Sequence, residues 1–156
     1  MDHAYDIWKN WGPDADAFLL HATAVAWQGR AALLLGPSGS GKSDIALQMM
    51  AYGCDLIGDD RVLVTVQESS LVATTPAPVS GKIEARGLGI LHAPFVQSAT
   101  LQFAVDLSRD DDARFPAITK HDVLQIPLHV YVKCRTTGLA AALFHLLRYG
   151  SVDDVT

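Results

Sequence analysis

Residues 31–43 read AALLLGPSGSGKS, an unbroken apolar run followed by a loop of glycine, proline and serine that ends in lysine and serine. The apolar run is typical of a strand that is buried on both faces. The loop satisfies the pattern GxxxxGK[ST] at all four fixed positions, and a helical pattern follows it over Lys42–Tyr52. A buried strand, this loop and a helix, in that order, predict a P-loop and an α/β fold.

The loop has a composition suited to holding phosphate. Its glycines let successive backbone N–H groups turn inward, and the following helix presents its positive end to an anion. The lysine is expected to reach the β and γ phosphates, and the last hydroxyl to bind Mg²⁺. The sequence therefore predicts a nucleotide site, with ATP and Mg²⁺ as ligands, at Gly36, Pro37, Ser38, Gly39, Ser40, Gly41, Lys42 and Ser43.

A pair of aspartates, Asp59 and Asp60, follows a short apolar strand predicted at residues 55–57. A phosphotransferase needs a carboxylate near the metal and a base for the acceptor hydroxyl. Neighbouring side chains on a regular strand point to opposite faces, so the strand must end or bulge here, and Gly58 provides the freedom to do so. The alternative is a solvated Gly-Asp-Asp turn. With the loop upstream, the pair favours a kinase over a passive nucleotide binder.

Length and charge narrow the class of protein. The 156 residues predict a single P-loop kinase domain over residues 1–156, with a polar lead-in at residues 1–17. The net charge of −5 argues against broad nucleic-acid binding. No apolar run approaches the roughly 20 residues that cross a membrane, and the two cysteines form no CxxC pattern. We expect a cytoplasmic protein with no nucleic-acid or membrane partner.

Apolar patterning predicts the remaining elements. Residues 18–27 and Arg30–Leu35 are expected to form a hairpin that turns at Gln28 and Gly29. Gly53 is expected to end the first helix in a left-handed conformation. Further strands are predicted at 61–67, 100–107 and Ile126–Lys133, a functional loop at 73–94, and a final helix over Leu139–Tyr149 with an apolar stripe at Leu139, Ala142, Leu143, Leu146 and Leu147.

Three further segments accompany the loop. His21 precedes it, residues 56–62 read LIGDDRV, and residues 83–90 read IEARGLGI. In this order the segments resemble the essential histidine, the paired-aspartate motif and the Glu-x-Arg-Gly-x-Gly-Ile signature of the HPr kinase/phosphorylases, specifically their C-terminal catalytic domain. The resemblance extends from His21 to about Leu91 and is weaker through the last strand and helix. It implies an HPr kinase/phosphoenolpyruvate carboxykinase-like P-loop fold, a mixed sheet with flanking helices.

The resemblance also implies an activity. Members of the family are ATP- and Mg²⁺-dependent protein-serine kinases that phosphorylate the phosphocarrier protein HPr and so regulate carbohydrate uptake by the phosphotransferase system. Some members reverse the reaction with inorganic phosphate. By resemblance, Asp60 is the base toward the serine hydroxyl, Asp59 supports it near the metal, and His21 tunes Asp60 electrostatically. Lys42 is included among the catalytic residues.

The remaining implied roles concern the metal and the phosphoryl group. By resemblance, Mg²⁺ contacts Ser43 and Glu84, with Asp59 beside them. Arg86 is a candidate for stabilising the charge of the transferred phosphoryl group. On sequence alone, the charged cluster at residues 82–86 would be a solvated loop. The resemblance leaves open whether the chain forms a homo-oligomer.

Two departures from the family pattern affect the expected activity. Only twenty residues precede His21, so the chain resembles a short form without the family's N-terminal domain. In the family, an arginine-rich stretch before the final helix is tied to dephosphorylation. Residues 133–138 of this chain are a poor match to that stretch. Residues 110–121 are short where the family has a longer loop with a catalytic arginine, for which Arg109 and Arg114 are both candidates. These departures leave the reverse reaction open.

Two other function classes remain open at this point. One is a small-molecule kinase or a nucleotide hydrolase, which would use the same loop with a different acceptor. The other is a non-catalytic regulator that binds ATP and signals by conformation. The aspartate pair argues against such a regulator, because a sensor needs no base.

Overall fold

A computed structural model describes residues 17–75, 80–111, 113–114, 118–134 and 137–152. Within these residues the chain forms eleven strands and two helices. In chain order they are β1 (Ala17–Leu20), β2 (Ala22–Trp27), β3 (Arg30–Leu35), α1 (Lys42–Tyr52), β4 (Asp55–Gly58), β5 (Val62–Gln67), β6 (Ser70–Thr74), β7 (Lys82–Ala85), β8 (Gly89–His92), β9 (Ser98–Asp110), β10 (Thr119–Val123), β11 (Ile126–Lys133) and α2 (Leu139–Tyr149).

Nine strands of the described part form one mixed sheet, and β7 and β8 form a separate hairpin. The order is β1-β5-β6-β9-β3-β2-β4, with β11 beside the second half of β9 and β10 outside β11. The long strand β9 runs parallel to β3 and to β11, whereas all other pairings between the named strands are antiparallel. The mixed α/β sheet that the resemblance implied is therefore confirmed.

Both helices pack on one face of the sheet. The core on that face joins Met49 of α1 and Leu147 of α2 to Leu34 of β3. Among the described residues, the buried members of the opposite core all belong to strands, and they include Leu20 of β1 and Ile57 of β4. Because β1 and β4 stand at opposite ends of the sheet order, the sheet curls over its own face. This curl covers the side that the helices leave open.

The predicted strand at residues 18–27 is two strands. It breaks at His21, because β1 pairs with β5 whereas β2 pairs with β3 and β4. The predicted hairpin between β2 and β3 is confirmed, and both turn residues, Gln28 and Gly29, have positive φ values of 49° and 79°. The break leaves His21 at the start of β2, beside the end of β4.

The stretch at 73–94 is not the irregular loop that its prolines and glycines predicted. It contains the end of β6 and the β7–β8 hairpin, whose four-residue strands are too short to show a clear period. β9 is longer than its predicted range of 100–107, and β6 and β10 were not predicted. The bounds predicted for β11 and for the helix over Lys42–Tyr52 agree with the structure, and Gly53 caps that helix with a positive φ of 136°.

The helix α2 has the predicted bounds, but its predicted apolar stripe is partly wrong. Ala142 is exposed, whereas Ala140 and Phe144 are buried. The Phe144 ring stacks on that of Tyr52 at the end of α1, with 5.9 Å between ring centroids. Contact with α1 therefore decides which face of α2 is covered, and the sequence of α2 carries no information about that neighbour.

The predicted lead-in at residues 1–17 lies outside the described residues except for Ala17, where β1 begins. Each described helix has 11 residues, compared with the roughly 20 that a bilayer-spanning helix requires. In the described part of the chain, no helix combines the length and the apolar content needed to cross a membrane.

Candidate active site

The phosphate-binding loop connects the buried strand β3 to the start of α1, as predicted. Gly39 and Gly41 have positive φ values of 85° and 102°, which glycine adopts without strain. Position 36 leaves no room for a larger residue than glycine, because a Cβ atom there would collide with the side chain of Ser40. These glycines let the loop wrap around the helix N-terminus, where unpaired N–H groups can face an anion.

The Lys42 side chain is buried within this loop. Its Nζ donates to the carbonyl oxygens of Gly36 at 2.7 Å and Pro37 at 3.2 Å. Burial lowers the pKa of Lys42, and the nearby carboxylates of Asp60 and Asp59 oppose that shift. A phosphate that enters the loop would offer this amine a charged partner in place of two neutral carbonyls.

The Asp59 carboxylate is held by three donors from three different elements. Its Oδ1 accepts hydrogen bonds from Ser43 Oγ and from Thr23 Oγ1, both at 2.8 Å. Its Oδ2 accepts from the backbone N–H of Glu84 at 2.9 Å. Asp59 therefore joins β2, the start of α1 and the β7–β8 hairpin at the edge of the loop.

The Asp60 carboxylate has a different environment. Its Oδ1 lies 3.0 Å from Nε2 of His21, and the two side chains are 61% and 51% exposed respectively. Asp60 also lines the pocket beside the loop. Asp59 is thus the member of the pair that is tied to the protein, and Asp60 is the member that a ligand can reach.

The change of direction between the two aspartates occurs at Asp60. Its φ of 69° is left-handed, which breaks the alternation of a regular strand. The prediction that the strand ends or bulges here is confirmed, because β4 ends at Gly58 and its pairing with β2 shifts register just before that residue. The positive φ, however, belongs to Asp60 and not to Gly58. Gly58 instead supplies space, since a Cβ atom there would lie 2.6 Å from the carbonyl oxygen of Arg61 and 2.8 Å from Cβ of Thr75.

The β7–β8 hairpin forms the other wall of the site. It buries Ile83 among residues of α1 and β3, and it carries Glu84 and Arg86 to the pocket. The hairpin therefore brings its two predicted residues next to the phosphate loop. The pocket as a whole is lined by Ser38, Gly39, Gly41, Lys42, Ser43, Asp44, Asp60, Glu84 and Arg86.

Two arginines, Arg109 and Arg114, were alternatives for the catalytic arginine of the family's longer loop. Neither lines the pocket in the part of the chain that the structure describes. Arg109, near the end of β9, has its Nε 3.6 Å from Oδ2 of the buried Asp106. Arg114 lies in the short described segment 113–114. The loop at 110–121 and the stretch at 133–138 include residues 112, 115–117 and 135–136, which lie outside the described residues.

Two residues at the site were not predicted. Thr23 contacts Asp59, but a threonine in an apolar strand is ordinary, and only its position two residues after His21 gave any signal. Asp44 lines the pocket from the first turn of α1. An acidic residue there is expected in any helix because it complements the helix dipole, so the sequence gave no reason to assign it to a site.

The site fits Mg²⁺ only in combination with a nucleotide. The described residues contain no group of three or more His, Cys, Asp or Glu side chains that could hold a metal ion. Mg²⁺ is commonly bound by one or two protein groups together with phosphate oxygens and water. The Ser43 hydroxyl suits this role, because its proton is donated to Asp59 and its oxygen lone pairs stay available. Glu84 lines the same pocket.

Comparison with known proteins agrees with this geometry. The family model described as the HPr Serine kinase C-terminal domain matches residues 15–114, more than half of the chain. The HPr kinase/phosphorylase of Clostridium tetani is 40% identical over 75 residues, which cover 48% of this chain and 25% of that protein. That of Levilactobacillus brevis is 41% identical over 81 residues, which cover 51% and 26%. The chain spans about a quarter of the length of the curated relatives it matches.

A solved structure gives the same result for the fold. The Hpr(Ser) kinase/phosphatase of Coxiella burnetii superposes with a TM-score of 0.71, and the match covers 84% of this chain and 94% of that one. Sequence identity is 18%, so this likeness concerns the fold alone. The family match over residues 15–114 shows that the chain belongs to the HPr serine kinase C-terminal domain family.

Proposed function

We propose that this chain is an ATP- and Mg²⁺-dependent protein-serine kinase that phosphorylates HPr and so regulates carbohydrate metabolism through the phosphotransferase system. Family membership and the names of the curated relatives support this proposal. The observation that carries it is the contrast within the aspartate pair, with Asp59 tied to Ser43 and Asp60 open to the pocket. Such a kinase would act in the cytoplasm, where HPr would be its partner.

In this proposal Asp60 is the general base. Its carboxylate accepts the proton of the acceptor serine hydroxyl as that oxygen forms a bond to the γ phosphorus and ADP leaves. His21, 3.0 Å away, orients the carboxylate toward the pocket. The exposure of Asp60 supports the role, because a base for a protein substrate must be reachable from outside.

The other residues act on the nucleotide. Lys42 exchanges its loop carbonyls for phosphate oxygens, and Arg86 at the pocket wall faces the phosphoryl group. Ser43 and Glu84 would hold Mg²⁺, with Asp59 behind Ser43. When bound, Mg²⁺ neutralises charge on the β and γ phosphates. The division of roles is therefore that Asp59 serves the metal and Asp60 serves the acceptor.

The test is phosphate transfer from labelled ATP to HPr in the presence of Mg²⁺. We expect phosphoserine on HPr from the unaltered chain. Asp60→Asn should reduce transfer by about 10²–10⁴-fold, the usual contribution of a general base. Its ATP affinity should stay within about two-fold, because the amide keeps the shape of the side chain while losing the base.

A matched control is Asp122→Asn, the same change of charge on the exposed strand β10, away from the pocket. It should leave transfer unchanged. Tight ATP binding without transfer to HPr would contradict the kinase proposal and favour an ATP-sensing regulator. Release of free phosphate without HPr phosphorylation would favour a nucleotide hydrolase.

A further inference from the structure

Thr23 is an unusual residue in the described part of the chain, because its side chain is fully buried although it is polar. Among the described residues, the other buried polar or charged ones are Lys42 and Asp106, which are 5% and 7% exposed. Asp106 accepts hydrogen bonds from Ser108, two residues away in the same strand. Thr23, by contrast, donates to a side chain 36 residues away, the Asp59 carboxylate. A buried long-range contact to the site indicates a role in the site.

The strand register explains how Thr23 reaches this carboxylate. β2 and β4 are antiparallel, with Ala24 opposite Gly58. One step further along this register places Thr23 opposite Asp59, and two hydroxyls, those of Thr23 and Ser43, then donate to the same oxygen at 2.8 Å. A carboxylate with donors on both sides has little freedom to rotate.

The short segment 21–23, which leads into β2, contacts both aspartates, but through different residues. Thr23 holds Asp59 from within the core, and His21, two residues earlier, contacts Asp60 at the surface. The Thr23 hydroxyl has no access to solvent as an alternative partner, because the residue is buried, whereas the contact between His21 and Asp60 is exposed.

We propose that Thr23 is a positioning residue that holds Asp59 against Ser43, so that Asp59 serves Mg²⁺ and leaves Asp60 to the acceptor. This inference rests on the proposed function for the nucleotide and metal, but not on the identity of the acceptor. Thr23 touches neither substrate nor metal. It acts through the orientation of Asp59, as groups behind a metal ligand commonly do.

The test compares ATP affinity with and without Mg²⁺ by calorimetry, in the absence of HPr. Thr23→Val keeps the shape of the side chain and removes its hydroxyl. We expect the ratio of the two affinities to fall about ten-fold, the lower end of the range for loss of a group behind a metal ligand. Affinity without Mg²⁺ should stay within two-fold. Thr23→Ser, which keeps the hydroxyl, should restore most of the ratio.

Transfer kinetics provide a second measurement. In Thr23→Val the apparent KM for Mg²⁺ should rise about ten-fold, while kcat at saturating Mg²⁺ should stay within about two-fold. If Thr23 had a purely structural role, its loss would lower kcat and the fraction of active protein, and the apparent KM for Mg²⁺ would not change. Thr23→Ala offers a smaller side chain without a hydroxyl if the valine variant does not fold, and it should show the same change in the Mg²⁺ dependence.

Thr65→Val is the matched control. The Thr65 Oγ1 atom on β5 is buried and has no hydrogen-bond partner among the described residues, so its removal should leave the Mg²⁺ dependence unchanged. An unchanged affinity ratio in Thr23→Val, or a serine variant no better than the valine variant, would overturn the assignment. Absence of ATP binding by the unaltered chain is a different result, because it would refute the proposed function and the Thr23 role with it.

Discussion

Replacing Gly58 by alanine tests whether space at this position, and not backbone freedom, shapes the turn that carries the aspartates. The added Cβ would lie 2.6 Å from the carbonyl oxygen of Arg61 and 2.8 Å from Cβ of Thr75. Carbon–oxygen contacts are normally about 3.3 Å or longer, so the Arg61 carbonyl must move by roughly 0.7 Å, and Thr75, whose Oγ1 is the nearest atom, must move as well. The Arg61 carbonyl resists this movement, because it accepts a hydrogen bond from Thr75 Oγ1 at 2.8 Å.

The expected cost follows from these contacts. Forcing a carbon into a packed site typically costs about 1–3 kcal/mol, and loss of the Thr75 hydrogen bond adds about 1 kcal/mol. Gly58→Ala should therefore lower the free energy of unfolding by about 2–4 kcal/mol, which corresponds to a fall in Tm of roughly 5–15 °C for a chain of this length. Transfer to HPr should fall with it, since the displaced turn carries Asp59 and Asp60.

The assay is thermal and urea unfolding followed by circular dichroism. Gly29→Ala is the control, because its Cβ would meet no atom within 4 Å and would only encounter the positive φ of 79°. Gly29→Ala should lower the free energy of unfolding by about 1–2 kcal/mol. Combining Gly58→Ala with Thr75→Gly should recover part of the loss, because it removes one of the two collisions. A Gly58→Ala chain that melts within about 2 °C of the unaltered protein would refute the reasoning.

Two further predictions concern other buried groups. Lys42→Ala should weaken ATP binding by about 10–100-fold in calorimetry, the loss expected for a charge-assisted contact to phosphate; unchanged affinity would count against the loop assignment. Burial, with a smaller contribution from Asp55, raises the pKa of the Cys54 thiol from 9.0 to about 12. At pH 8 a thiol reagent should therefore label Cys54 in the native chain roughly 1,000-fold more slowly than in the urea-unfolded chain, as followed by mass spectrometry; equal labelling would contradict the burial. Because the folded pKa is raised, the stability that Cys54 contributes is complete below about pH 9 and is lost as the pH rises toward 12.

Local segments of the sequence were sufficient for the phosphate loop and its neighbours. The glycines at 39 and 41 permit the positive φ values that the turn from strand to helix requires, so the strand, the loop and α1 follow from residues that are adjacent in the chain. The hairpin turn at Gln28 and Gly29 is local in the same sense. The bounds of α2 followed from its period, whereas its buried face did not, because the ring of Tyr52 lies on another helix.

Local apolar patterns did not predict which strands pair with one another. Apolar periodicity shows that β9 is buried, but not that it lies parallel to β3 and to β11. It did not reveal the β7–β8 hairpin either, whose place is set by the burial of Ile83 on the helix side of the sheet. The sequence resemblance named Glu84 and Arg86, and the hairpin is what carries them to the pocket.

The sequence alone therefore determined that residues 36–43 form a glycine-rich loop of the P-loop pattern between a buried strand and a helix, because each feature depends on residues that are adjacent in the chain. It also placed two aspartates beside one another, and the resemblance to a family, not the local pattern, gave them different roles. Only the tertiary structure separated their environments, by bringing Thr23 and Ser43 to Asp59 and leaving Asp60 to His21. The physical reason is that the environment of a carboxylate depends on donors from distant strands, and a single chain's pattern does not encode which strands become neighbours.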